Sequence, residues 1–143
     1  WASPRKNTTL EDVHQLQKRY MRQISLAKFG AHSKTLFYKL NILNIYDLCQ
    51  CHILLSVFKS INYLLPSRYT NYFTLAKEMY SYQTRSSKDH KLYTVTAQRS
   101  AKINTLASRG PKYWNSLPTT IRASLSHHIF KASVKAHFFV SIC

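Results

Sequence analysis

One stretch constrains this chain more than any other. From Ile45 to about Asn62 the spacing is helical, and Ile45, Tyr46, Leu48, Cys51, Ile53, Leu54, Leu55, Val57, Phe58 and Ile61 cover most of the helix circumference. Only a narrow strip of Cys49, His52, Ser56, Lys59 and Ser60 is polar or small. A helix that is apolar nearly all round has to be buried, so this segment is predicted to be the hub of the core. Asn44, with Asp47 three residues on, reads as its N-cap, and Pro66 breaks the pattern beyond it.

The other periodic stretches supply cover for that hub. Leu10, Val13, Leu16, Tyr20, Met21 and Ile24 share one side of a helical wheel, with Lys18, Arg19 and Arg22 on the other. Residues 10 to about 27 are therefore predicted to form an amphipathic helix with a basic outer face, capped by Thr9 and followed by Gly30. Short helices are expected at 35–40 and 66–75. Ser126 is expected to cap a last helix, about 127–140, which buries Phe130, Val134 and Phe138 and carries His128, Lys131 and Lys135 as a basic row. Between Met79 and Ser108 the helical period disappears. Tyr80-Ser81-Tyr82 and Leu92 to Thr96 alternate and are rich in β-branched or aromatic residues, which favours extended segments, with Ile103 to Ala107 as another. Gly110-Pro111 reads as a turn, placing Trp114 between two Pro-marked turns, where it would pack against the core. The fold expected is mainly α: a small helical domain with a buried central helix and a minor extended or β segment around residues 79–108. It would form one domain over 1–143, with helical 1–78 and mixed 79–143 as sub-lobes.

Charge limits the function. Twenty-one Lys and Arg oppose five acids, a formal net charge of +16, and no acid follows Asp89. Such an imbalance bears on partners and not on fold. Polyphosphate fits best, because each neutralised phosphate releases counterions. A merely basic surface is the competing reading. The five acids are Glu11, Asp12, Asp47, Glu78 and Asp89. Glu11, Asp12 and Asp47 fall in first turns of helices, where the dipole explains them. Two scattered acids cannot hold a two-metal site, and two glycines cannot build a phosphate-cradling loop. No catalytic residue and no cofactor is therefore expected. Cys49-Gln50-Cys51-His52 invites a zinc reading, but on a helix Cys51 points away from Cys49 and His52, so core cysteines and no metal are expected. Three cysteines make no disulfide framework, and the longest apolar run, Cys51 to Phe58, is too short to span a bilayer. The chain begins at Trp1 and is read as a piece of something longer.

Rings and cations interleave at Tyr80, Tyr82, Arg85, Lys88, Lys91 and Tyr93. Bases can stack on such rings while cations track the backbone, and each tyrosine can equally belong to the core. The candidate nucleic-acid contacts are Lys18, Arg19, Arg22, Tyr82, Arg85, Lys88, Lys91, Lys131 and Lys135.

An ordered series of motifs runs through the chain. It comprises Leu16-Gln17-Lys18-Arg19 with Arg22 and Ile24, then Ala31-His32-Ser33, then Leu36-Phe37-Tyr38-Lys39-Leu40-Asn41-Ile42-Leu43 continued by Ile45-Tyr46-Asp47. Leu64-Leu65-Pro66, Tyr80-Ser81-Tyr82-Gln83-Thr84-Arg85 and Arg109-Gly110-Pro111-Lys112-Tyr113-Trp114-Asn115-Ser116-Leu117-Pro118 follow, and Ser124-Leu125-Ser126 with Phe130-Lys131 completes it. The series resembles the C-terminal region of non-LTR (LINE-type) retrotransposon polyproteins, downstream of the reverse transcriptase core. It covers roughly residues 8 to 138. Tyr80 stands where the family has His. The resemblance implies a supporting role in target-primed reverse transcription. A basic region there would hold template RNA or target DNA, with the upstream reverse transcriptase domain as a further partner. It also implies a nuclear or cytoplasmic location, while the short apolar run and the lack of a secretory signal segment lead to the expectation of no membrane partner and no secretion. The alternatives are a structural lobe that docks onto the polymerase core, or a decayed remnant without function.

Overall fold

A computed structural model describes residues 8–28, 30–70, 72–79, 89–94 and 105–140. Among them are eight helices: α1 (Thr8–Ile24), α2 (Ser33–Lys39), α3 (Ile45–Ile61), α4 (Ser67–Thr70), α5 (Ala76–Met79), α6 (Leu106–Ser116), α7 (Thr119–Arg122) and α8 (His127–Val140). The chain is mainly α, as the periodicity predicts. The described residues contain no strand, only one antiparallel bridge, Leu75 to Leu92. Residues 80–88 and 95–104, where most of the extended segment is expected, lie outside the described residues.

Two compact units form. The first combines residues 1–50 with 135–143, and the second is 51–134. The cut passes through α3 and α8 and leaves residue 78 inside the second unit.

In the first unit α1 packs on α2, and Met21, Phe37, Leu43 and Phe138 are buried. Gln17 ties α1 to the start of α3 with both halves of its amide. Its Nε2 donates to the Leu43 carbonyl at 2.9 Å, and its Oε1 accepts from the Ile45 N–H at 2.9 Å. Asn44 caps α3 as predicted. Its Oδ1 accepts from the N–H groups of Tyr46 and Asp47, and its Nδ2 donates to the Asp47 carboxylate. Burial is the larger influence on Asp47 and holds its carboxyl above the usual range.

In the second unit Leu54, Val57 and Phe58 of α3 are almost fully enclosed, together with Trp114, Phe130 and Val134. Phe58 stacks on Phe130 at 4.4 Å between ring centroids, and Trp114 lies 5.5 Å from Phe130. The predicted hub is thus present. One residue of its supposed polar strip, Ser60, is buried, because its hydroxyl donates to the Tyr69 carbonyl at 2.6 Å.

Several boundaries differ from the sequence reading. Gly110-Pro111 is not a turn: both residues are buried within α6, which begins at Leu106 and so also takes Leu106 and Ala107 from the expected extended segment. Gly110 serves close packing, since an added Cβ would lie 2.8 Å from the Phe73 ring and 3.0 Å from Val57 Cγ2. Pro111 removes an N–H that would have met the Ala107 carbonyl, and Ala107 is exposed, so water can take that carbonyl. Thr9 lies inside α1, not before it, and Gly30 does not end that helix. Leu26 does, at φ 50°, with its N–H donating to the Gln23 carbonyl and that of Ala27 to the Arg22 carbonyl. Asn41 and Tyr63 close α2 and α3 with the same pair of bonds at φ 54° and 56°. All three are left-handed C-terminal caps built without glycine.

Candidate nucleic-acid interface

The basic residues divide among three places. On α1 the expected orientation is rotated. Val13, Leu16, Tyr20 and Ile24 are exposed, the last two by 58% and 63%, whereas Lys18 and Arg22 are half-buried. The Gln17 clamp and the buried Met21 turn the opposite edge of the apolar sector inward. Arg22 donates from Nε to the Ala31 carbonyl at 3.2 Å, so it braces the turn after α1 as well as presenting charge. Arg19 is exposed. Arg19 and Arg22 flank an open hollow of about 870 Å³, together with Gln15, Gln23, Leu26 and Ala27.

A second group surrounds Asp89. Lys91 Nζ lies 3.5 Å from Asp89 Oδ2. Arg122, absent from the sequence-based candidates, is 7% exposed and feels the attraction of the same carboxylate. Its Nε and Nη1 are closed off from solvent without an acceptor among the described residues, and burial lowers its pKa. Lys91 is held in place here by Trp114-Asn115. Trp114 Nε1 donates to the His90 carbonyl at 2.9 Å. Asn115 accepts from the Leu92 N–H at 2.8 Å and donates to the Leu92 carbonyl at 2.9 Å. Trp114 is a packing residue, as expected.

The third group is at the start of α8. His128 and Lys131 are exposed, and Lys59 of α3 joins them. Ser126 caps the helix, its Oγ accepting from the Ile129 N–H at 3.3 Å. Lys135 belongs to the first unit, half-buried, with its ammonium 5.6 Å from the Phe139 ring centroid. The predicted row of His128, Lys131 and Lys135 is therefore split between different environments. Tyr82, Arg85 and Lys88 lie outside the described residues, as does Tyr80.

Three of the five acids are engaged locally. Glu11 accepts from the Tyr46 hydroxyl at 2.7 Å and from Gln15 at 2.8 Å, which lowers its pKa; Asp47 is held by Asn44, and Asp89 by Lys91. Among the described residues no three His, Cys, Asp or Glu stand where they could share a metal ion, and no helix is long and apolar enough to cross a membrane. Cys49 is half-buried and Cys51 is buried. No protein-family model, curated protein or solved structure matches the chain.

Sequence reasoning missed Arg122, Lys59 and His127. Arg122 and Lys59 gain electrostatic neighbours only through packing between elements, and packing adds Lys59 to the neighbours His127 has on its own helix.

Proposed function

We propose that this chain is a non-catalytic, basic nucleic-acid-binding accessory region of a non-LTR retrotransposon reverse transcriptase. In this reading it holds template RNA or target DNA during target-primed reverse transcription, and the parent protein supplies the polymerase. The observation that carries the reading is the net charge of +16 left without internal compensation. Among the described residues one ion pair forms, Lys91 with Asp89, while Arg19 and Lys131 stay exposed. Cations free of carboxylate partners attract phosphate, and much of the favourable free energy comes from the counterions released. The ordered motifs from Leu16 to Lys131 support the family. Binding of the purified chain to single-stranded RNA and to duplex DNA is the test. Affinity should fall with salt on a log–log slope of about 0.7–0.9 per phosphate contacted. A folded chain that binds neither at low salt sinks the reading.

A second reading, a lobe docking onto the polymerase core, is favoured by one observation. It does not come from α3, which buries Leu54, Val57 and Phe58 within the second unit. It comes from the exposed Val13, Leu16, Tyr20 and Ile24 on α1, as a stripe at i, i+3, i+7 and i+11 is the pattern of a helix that meets another surface. Leu16→Glu with Tyr20→Glu should abolish co-purification with the upstream polymerase region and leave the fold intact. Retained association excludes this face.

A further inference from the structure

α3 and α8 meet at Phe58, Phe130 and His127. The Phe58 and Phe130 rings are stacked, and the His127 ring lies 6.2 Å from that of Phe58. Lys59 follows Phe58, and Lys131 follows Phe130. The contact therefore gathers four basic side chains, Lys59, His127, His128 and Lys131, around the first turn of α8. That turn contains no acid, so nothing on the helix offsets the positive end of its dipole. His127 Nε2 is shut off from solvent without a hydrogen-bond partner among the described residues. A phosphate brought to the surface beside this cluster would offset its positive charge, which protonation of His127 alone would only increase.

We infer that Lys59, His127, His128 and Lys131 form a seat for a backbone phosphate, and that phosphate binding there is linked to proton uptake on His127. The inference rests on the nucleic-acid reading and adds a location and a pH response to it. The groups facing His127 are Lys59 from α3 and His128 and Lys131 from α8. In the free chain His127 is held below the usual imidazole range, by burial first and then by repulsion from those three. A phosphate set among them reverses the repulsion and favours the imidazolium. By linkage, whatever favours the proton on binding makes binding tighter as the proton becomes available. Affinity therefore rises as pH falls.

The experiment measures binding of the whole chain to a labelled single-stranded RNA at fixed ionic strength between pH 7.5 and 5.5. With one proton linked, affinity should rise about tenfold per pH unit at most. His127→Gln should flatten that rise and weaken binding at pH 5.5 more than at pH 7.5. His32→Gln, at an exposed histidine of the first unit, should preserve it. Lys59→Gln with Lys131→Gln should reduce the salt slope by about 0.7–0.9, the loss of one phosphate contact. Circular dichroism confirms the fold of each variant. If His127→Gln does not fold, NMR of the His127 ring in the wild-type chain over the same pH range serves: RNA should raise its titration midpoint, and an unchanged midpoint overturns the seat. If the wild-type chain binds and these variants keep its pH response and salt slope, the seat is wrong and the broader reading stands. If the wild-type chain does not bind, both fall.

Discussion

Individual residues in this chain carry strain or close packing that composition does not reveal. Leu26 is 94% exposed and sits at φ 50°, so its side chain adds no packing while its backbone occupies the left-handed region. That conformation costs a non-glycine residue about 1–2 kcal/mol. Leu26→Gly should raise the stability of the first unit by up to about 1 kcal/mol in chemical denaturation, part of the relief being returned through the freer unfolded chain. Gly110 is the opposite case. Its missing Cβ is what lets α6 approach Phe73 and Val57, and Gly110→Ala should destabilise by about 1–3 kcal/mol, as overpacking does. Arg122 tests a different balance. Burying a cation with two unmet donors costs more than Asp89 returns from beyond bonding distance. Arg122→Met is therefore expected to leave thermal stability unchanged or raised, and a marked loss would mean that this guanidinium has a partner essential to the fold.

At the scale of elements, two side-chain amides do work usually done by backbone. Gln17 takes the carbonyl of Leu43 and the N–H of Ile45, fixing how the chain enters α3. Asn115 takes both polar groups of Leu92, fixing the 89–94 segment on α6. Asn115→Leu strands a buried N–H and carbonyl together, and the loss should be about 1–3 kcal/mol, seen as a lowered denaturation midpoint. Both helices they serve were legible to different degrees. α3 and α8 stand close to their predicted bounds, since long apolar periodicity and an Asn or Ser cap are local facts. α6 was not legible. Gly-Pro is a turn signal in an exposed chain, and burial of both residues against Phe73 and Val57 overrides it. The apolar sector of α1 was read correctly as a sector, but which edge of it is covered depends on where Gln17 finds its partners.

For the whole molecule, the histidines set the acid limit. Burial depresses the pKa of His14 and of His127 below 6.5. A depressed basic group favours the fold while it is neutral, so its contribution is complete above pH 6.5 and is lost as pH falls through the folded value. Melting temperature should decline on acidification below about 6.5, and His14→Gln with His127→Gln should flatten the decline. Asp47 acts in the other sense: its raised pKa means that ionisation above its ordinary 3.8 works against the fold. Nucleic acid should oppose the histidine-driven loss, because a phosphate near His127 stabilises the charged ring.

The sequence by itself determined the helical class, the hub from Ile45 to Ile61, the Asn44 and Ser126 caps, the packing role of Trp114 and the excess of cations. These follow from spacing, from local hydrogen bonding and from counting, and none needs a distant neighbour. Tertiary structure alone decided which cations are braced, paired or gathered. Arg22 is committed to Ala31, Lys91 to Asp89, and Lys59 is brought to His127 only because Phe58 stacks on Phe130. A charge counts equally wherever it stands in a sequence, but its energy depends on distance and burial, and both are properties of the folded chain.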